Sequence, residues 1–133
     1  MNRILYIVAG LIMVAGFHAS GMLSAINLTH PIWRVNATLY GSLAGALLSA
    51  LLFRVCAAKP RLGRWLGRLV TLVFVMILPA TLISAKIFID AEAYNAVAVN
   101  IWHKGSYGVF ITFVPAFAAL LAKLRIIGSP ARG

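Results

Sequence analysis

The stretch that decides the fold runs from Leu69 to Ala85, LVTLVFVMILPATLISA, seventeen residues without a charge. A bilayer's hydrocarbon core is about 30 Å thick and takes about 20 helical residues to cross, with roughly 17–25 the working range. Three further apolar stretches accompany it, Ile4–Ile26, Val35–Phe53 and Ser106–Ala122, and none of the four contains Asp, Glu, Lys or Arg. Within hydrocarbon the backbone must satisfy its own hydrogen bonds, and these stretches lack the alternation that a barrel strand requires. The expectation is an all-α integral membrane four-helix bundle, residues 1–133 forming a single transmembrane domain.

Composition agrees. Hydrophobic residues make up 62% of the 133, and the mean hydropathy is +0.97, well above the apolar share of a soluble domain. The net charge of +10 is unevenly placed. Arg54, Lys59, Arg61, Arg64 and Arg68 crowd a loop between the second and third spans; Arg3 precedes the first, and Lys123, Arg125 and Arg132 follow the last. Arg34, Lys86 and Lys104 fall on the other side, with both acids, Asp90 and Glu92. The positive-inside rule then puts both termini and the middle loop in the cytoplasm, at a bacterial inner (cytoplasmic) membrane. The five loop cations are expected to anchor the helix ends and contact anionic lipids rather than nucleic acid, since Trp65 is the one stacking platform among them.

The first twenty residues also fit a signal peptide, with Ala19-Ser20-Gly21 as a small-residue cleavage site. The apolar run continues through Met22, Leu23, Ala25 and Ile26, so a retained helix is expected. Trp33, Trp65, Trp102, Tyr6 and Tyr40 read as interfacial anchors. The stretch 86–104 is expected as an outer loop carrying a short interfacial helix, with Asp90 and Glu92 near its start. Cys56 is single and receives no role.

In lipid, helices associate by close backbone approach and interhelical hydrogen bonds. Ala37, Gly41, Gly45 and Ser49 recur every four residues and so align in one small-residue stripe. Gly16, Ser20 and Ser24 form a counterpart on the first helix, and Gly108, Thr112 and Ala116 on the fourth. These stripes are expected to face inward, with a dimer face as the alternative. Pro79 and Pro115 predict kinks, because each removes a backbone donor; Thr81, Ser84 and Thr112 are the hydroxyls nearest the freed carbonyls.

The chemistry on offer is narrow. His18 lies about three residues past the middle of the first span, and a titratable residue at that depth is a functional candidate by default. His30 and His103 lie at span edges. With Asp90 and Glu92 folded over the bundle, the three imidazoles could form a metal site or proton relay. The plainer reading has His18 neutral and bonded to Ser42, Thr81 or a backbone carbonyl on a neighbouring helix, with the first helix sandwiched so that both His18 and its small stripe are covered. No span holds a carboxylate for acid-centred proton exchange, no two histidines face each other at one depth, and no Ser–His–Asp or Cys–His set assembles. No catalysis and no cofactor are expected.

Ile4-Leu5-Tyr6-Ile7-Val8-Ala9-Gly10-Leu11 and Asn36-Ala37-Thr38-Leu39-Tyr40-Gly41 resemble the small four-helix membrane families grouped around DoxX. The likeness covers about half the chain and implies a bundle of largely unassigned function. The sequence thus points first to a non-catalytic accessory or scaffolding subunit of a membrane assembly, self-associated or with other subunits. A dimeric transporter or channel for ions or small solutes comes second, and a histidine-based metal or redox site third.

Overall fold

The computed structural model describes residues 2–124 and is helical, with no strand among them. Five helices follow in order: α1 Asn2–Ala19, α2 Met22–Ala25, α3 Arg34–Ala58, α4 Pro60–Asp90 and α5 Ala96–Leu124. The last three are long and apolar enough to cross a membrane. At about 1.5 Å per residue, α3, α4 and α5 reach roughly 37, 46 and 43 Å.

α3 and α5 run parallel and form the central pair, with α1 and α4 antiparallel to α5 on either flank. α1 and α4 each pack on both α3 and α5 but not on each other. One end of the bundle gathers Arg3, Arg54, Lys59, Arg61, Arg64, Arg68 and Lys123, and is called the basic end; Arg125 and Arg132 lie outside the described residues. At this end Arg3 donates to the Phe53 carbonyl at 3.4 Å and lies over the Phe53 ring. The opposite, aromatic end joins α1 to α3 through residues 20–33 and α4 to α5 through residues 91–95.

Glycines decide how close the helices come. A Cβ on Gly41 would meet Phe110 Cβ at 2.8 Å, and one on Gly45 would meet the Phe110 and Ile111 carbonyl oxygens at 2.9 and 3.0 Å. α3 therefore lies on α5 at backbone distance along Ala37, Gly41, Gly45 and Ser49, all buried. Across α4 and α5, Gly105 packs onto Thr81 and Gly108 onto Ile77. On α1 the inward residues are Tyr6, Gly10 and Val14, with Gly10 against Val114 at 3.3 Å.

Several expectations differ from what is found. The first apolar stretch is not one helix. α1 ends at Ala19, Gly21 adopts φ 79°, a conformation open to glycine at little cost, and the chain restarts as the single turn α2. Ser20 explains part of the break, since its Oγ donates to the Phe17 carbonyl and accepts from the Met22 N–H; short polar side chains that bond their own backbone favour turns. Gly16, Ser20 and Ser24 are all exposed, and nothing lies within 4 Å of a Cβ on Gly16. The sandwich that would cover this stripe is absent, because α1 has neighbours on one side only.

The basic loop is not a loop. Lys59 alone separates α3 from α4, and Pro60 sits in the first turn of α4, where its missing N–H costs nothing. Gly63 makes the corner possible by packing against Cys56. Arg61, Arg64 and Arg68 thus ride on the opening turns of α4, all exposed. The stretch 86–104 carries no separate interfacial helix either. Its start completes α4, and its end forms the first turns of α5, which Asn95 caps by accepting the Ala98 N–H at 3.0 Å, the role short amide side chains favour. Pro79 and Pro115 both lie inside helices that continue past them, as a bend without a break allows. Thr81 and Thr112 bond the Ile77 and Gly108 carbonyls four residues back, rather than the Val75 and Ile111 carbonyls that the prolines leave free.

Candidate functional site

The densest gathering of polar and aromatic chemistry lies at the aromatic end, where the 26–33 segment, the end of α4 and the start of α5 converge. Trp102 is its anchor. Its side chain is buried, and its indole N–H points at two main-chain acceptors, the Asn27 and Leu28 carbonyls, each at 3.1 Å. Those carbonyls face inward because Asn27 takes a left-handed conformation, φ 56°, which asparagine tolerates better than most residues. A helix residue thereby ties the connection between α2 and α3 across about 75 residues of chain.

Rings continue outward from this anchor. Trp33 stands edge-on to Trp102 at 5.3 Å and lies roughly face to face with both His30, at 4.8 Å, and His103, at 4.5 Å. Phe88 and Tyr107 extend the array from α4 and α5. Offset and edge-to-face contacts of this kind add to burial. Beneath them Thr29 is buried and accepts from Arg34 Nε at 3.3 Å.

The sequence candidates divide as follows. His30 and His103 come together on Trp33. His30 Nδ1 accepts the Ile32 N–H at 3.1 Å, which makes it a turn-stabilising group. His103 is exposed apart from its stacking. His18 stands apart on α1, half-buried, its Nδ1 enclosed and without a partner. The expected partners are engaged elsewhere, for Ser42 Oγ donates to the Leu39 carbonyl and Thr81 to Ile77. Asp90 pairs with Lys86 at 2.8 Å, and Glu92 is exposed on the linker. Among the described residues, no three His, Cys, Asp or Glu side chains are grouped to hold a metal ion, so the five candidates do not form one centre.

Sequence reasoning read Trp33 and Trp102 as separate lipid anchors. Their signal was available in part: Asn27, Pro31 and the flanking aromatics mark a structured turn. What no spacing rule supplies is that residues 30, 33, 88 and 102 meet, since the contact crosses three segments. The chemistry this array offers is adhesion, closing one end of the bundle. Comparison with models of known families, with curated proteins and with solved structures finds no match for this chain.

Proposed function

We propose that the chain is a small multi-pass integral membrane protein of four spans, with α1 crossing beside α3, α4 and α5, both termini at the cytoplasmic face of a bacterial inner membrane, and that it works as a non-catalytic accessory or scaffolding subunit. The observation that carries the reading is the interior itself. α3 meets α5 at backbone distance along Gly41 and Gly45, and Gly105 fills the contact of α5 with α4, so the bundle centre is packed rather than a pathway. Large apolar side chains lie outward on every long helix, among them Ile12, Leu47, Met76 and Val97, as a lipid- or protein-facing surface requires. Arg54, Lys59, Arg61, Arg64 and Arg68, all exposed, suit anionic lipid headgroups at the cytoplasmic side. The resemblance to DoxX-like families supports the bundle and adds no activity.

The open face of α1 along Gly16 is where a partner helix would approach. Purification in mild detergent, followed by crosslinking and mass determination, tests the proposal. Co-purifying subunits or an oligomer are expected, and Gly16→Leu should reduce them while leaving helicity unchanged. A monomer without partners would overturn the scaffolding role. Ion or solute flux in reconstituted vesicles between pH 5 and 8 would put the dimeric transporter ahead instead.

A further inference from the structure

Because the backbones of α1 and α4 stay apart on either side of α5, a shallow groove runs between them along α5. Its floor is marked by Phe113, which meets Phe17 of α1 at 6.0 Å and Phe74 of α4 at 5.7 Å. On α4 the wall follows one i, i+4 ridge through Phe74, Leu78 and Leu82 and ends at Lys86 and Asp90. The change from apolar to ionic falls at the aromatic end, where the groove opens into a cleft of about 220 Å³ lined by Ile26, Asn27, Leu82, Lys86, Ile89 and Asp90.

We propose that this cleft binds the headgroup of an amino-phospholipid, a phosphodiester bearing a primary ammonium, with one acyl chain lying in the groove above Phe113. The inference rests on the reading of the chain as membrane-embedded. Lengths fit: Phe74 to Lys86 is about 18 Å of helix, slightly more than half of a hydrocarbon core of about 30 Å, the depth of one leaflet. Size fits as well, since a cleft this small lies below the roughly 300–1,000 Å³ of sites that enclose whole ligands and suits a headgroup.

Charge selects among headgroups. Lys86 and Asp90 place one cation and one anion 2.8 Å apart, with side chains 79% and 59% exposed. An exposed pair of this kind holds weakly and can exchange its internal bond for two external ones. Lys86 Nζ then donates to the phosphate and Asp90 accepts from the ammonium. Asn27, fixed at the rim by the Trp102 bonds to its own and the next carbonyl, supplies an amide beside the phosphate. A purely anionic headgroup would satisfy Lys86 but face Asp90. A choline headgroup has no N–H to give Asp90.

Native mass spectrometry of the full chain in mild detergent, with dioleoyl phosphatidylethanolamine, phosphatidylglycerol and phosphatidylcholine at equal concentrations, is the test. One phosphatidylethanolamine should bind in preference to either competitor by about tenfold, the factor one charge-assisted hydrogen bond supplies. Asp90→Asn should remove the preference over phosphatidylglycerol, and Lys86→Gln should weaken both lipids. Asn27→Gly keeps the left-handed backbone and should weaken phosphate-bearing lipids without disturbing helicity. Equal uptake of the three lipids by the wild type, or an unchanged preference in Asp90→Asn, overturns the cleft. Neither result touches the membrane reading, which falls separately if the protein leaves the membrane fraction without detergent.

Discussion

Gly45→Ala puts the packing of α3 on α5 to a quantitative test. The new methyl would sit 2.9 Å from the Phe110 carbonyl oxygen, 3.0 Å from that of Ile111 and 3.0 Å from Val114 Cβ, where ordinary contacts begin near 3.4 Å. Two of the three obstacles are backbone, so no side chain can swing aside and the helices must separate by roughly half an ångström. Overpacking of this sort costs about 1–3 kcal/mol. Replacing glycine in a helix returns up to about 1 kcal/mol, so the net loss should be about 0–2 kcal/mol. Gly67→Ala on α4 serves as the control, because nothing lies within 4 Å of its Cβ and it reports the propensity gain alone in the same medium. SDS-driven unfolding in mixed micelles, followed by helical circular dichroism, compares the two. The difference Gly45→Ala minus Gly67→Ala isolates the contact and should be about 1–3 kcal/mol destabilising. If the two variants matched, α3 would not rest on α5 along this stripe and the closed interior would be lost with it.

Trp102→Phe removes the donor shared by the Asn27 and Leu28 carbonyls; leaving the buried Leu28 acceptor unpaired costs about 1–3 kcal/mol, and hydrogen exchange should rise in residues 22–33 before it rises in the long helices. His18→Leu deletes an enclosed nitrogen that has no partner, so unfolding should show stability equal to or up to about 1 kcal/mol above the wild type, whereas a clear loss would reveal a bond to His18. Reporter fusions at either terminus should fluoresce as cytoplasmic green fluorescent protein and stay inactive as alkaline phosphatase; an active phosphatase would reverse the orientation drawn from Arg54 to Arg68.

Apolar runs without charge dictated helices, because hydrocarbon leaves the backbone no other way to satisfy itself, and that much needed no tertiary information. The same holds for the i, i+4 recurrence of Ala37, Gly41, Gly45 and Ser49, a local regularity that places four small residues on one face whatever the neighbour is. Helix ends were legible only where local chemistry marked them. Gly21 lies inside an apolar run and reads as part of a cleavage site or of one continuous helix, although Ser20 and Gly21 together also carry a turn signal. The cation-rich stretch from Arg54 to Arg68 looked like a loop because charge excludes hydrocarbon; charge does not exclude helix, and α3 and α4 extend beyond the apolar core.

Partner choice belonged to the tertiary structure. Gly16 and Gly10 look alike in sequence, yet only Gly10 meets another helix, because the side of α1 that turns inward is the one carrying the buried Tyr6, Gly10 and Val14. Trp33, His30 and His103 become neighbours only after α5 returns antiparallel to α1, with Trp102 pinned to the Asn27 turn. The groove above Phe113 exists because α1 and α4 stand on opposite sides of the α3–α5 pair. Local periodicity fixes which residues share a face, whereas the faces that meet depend on contacts between segments tens of residues apart, and no window of sequence contains both halves of such a contact.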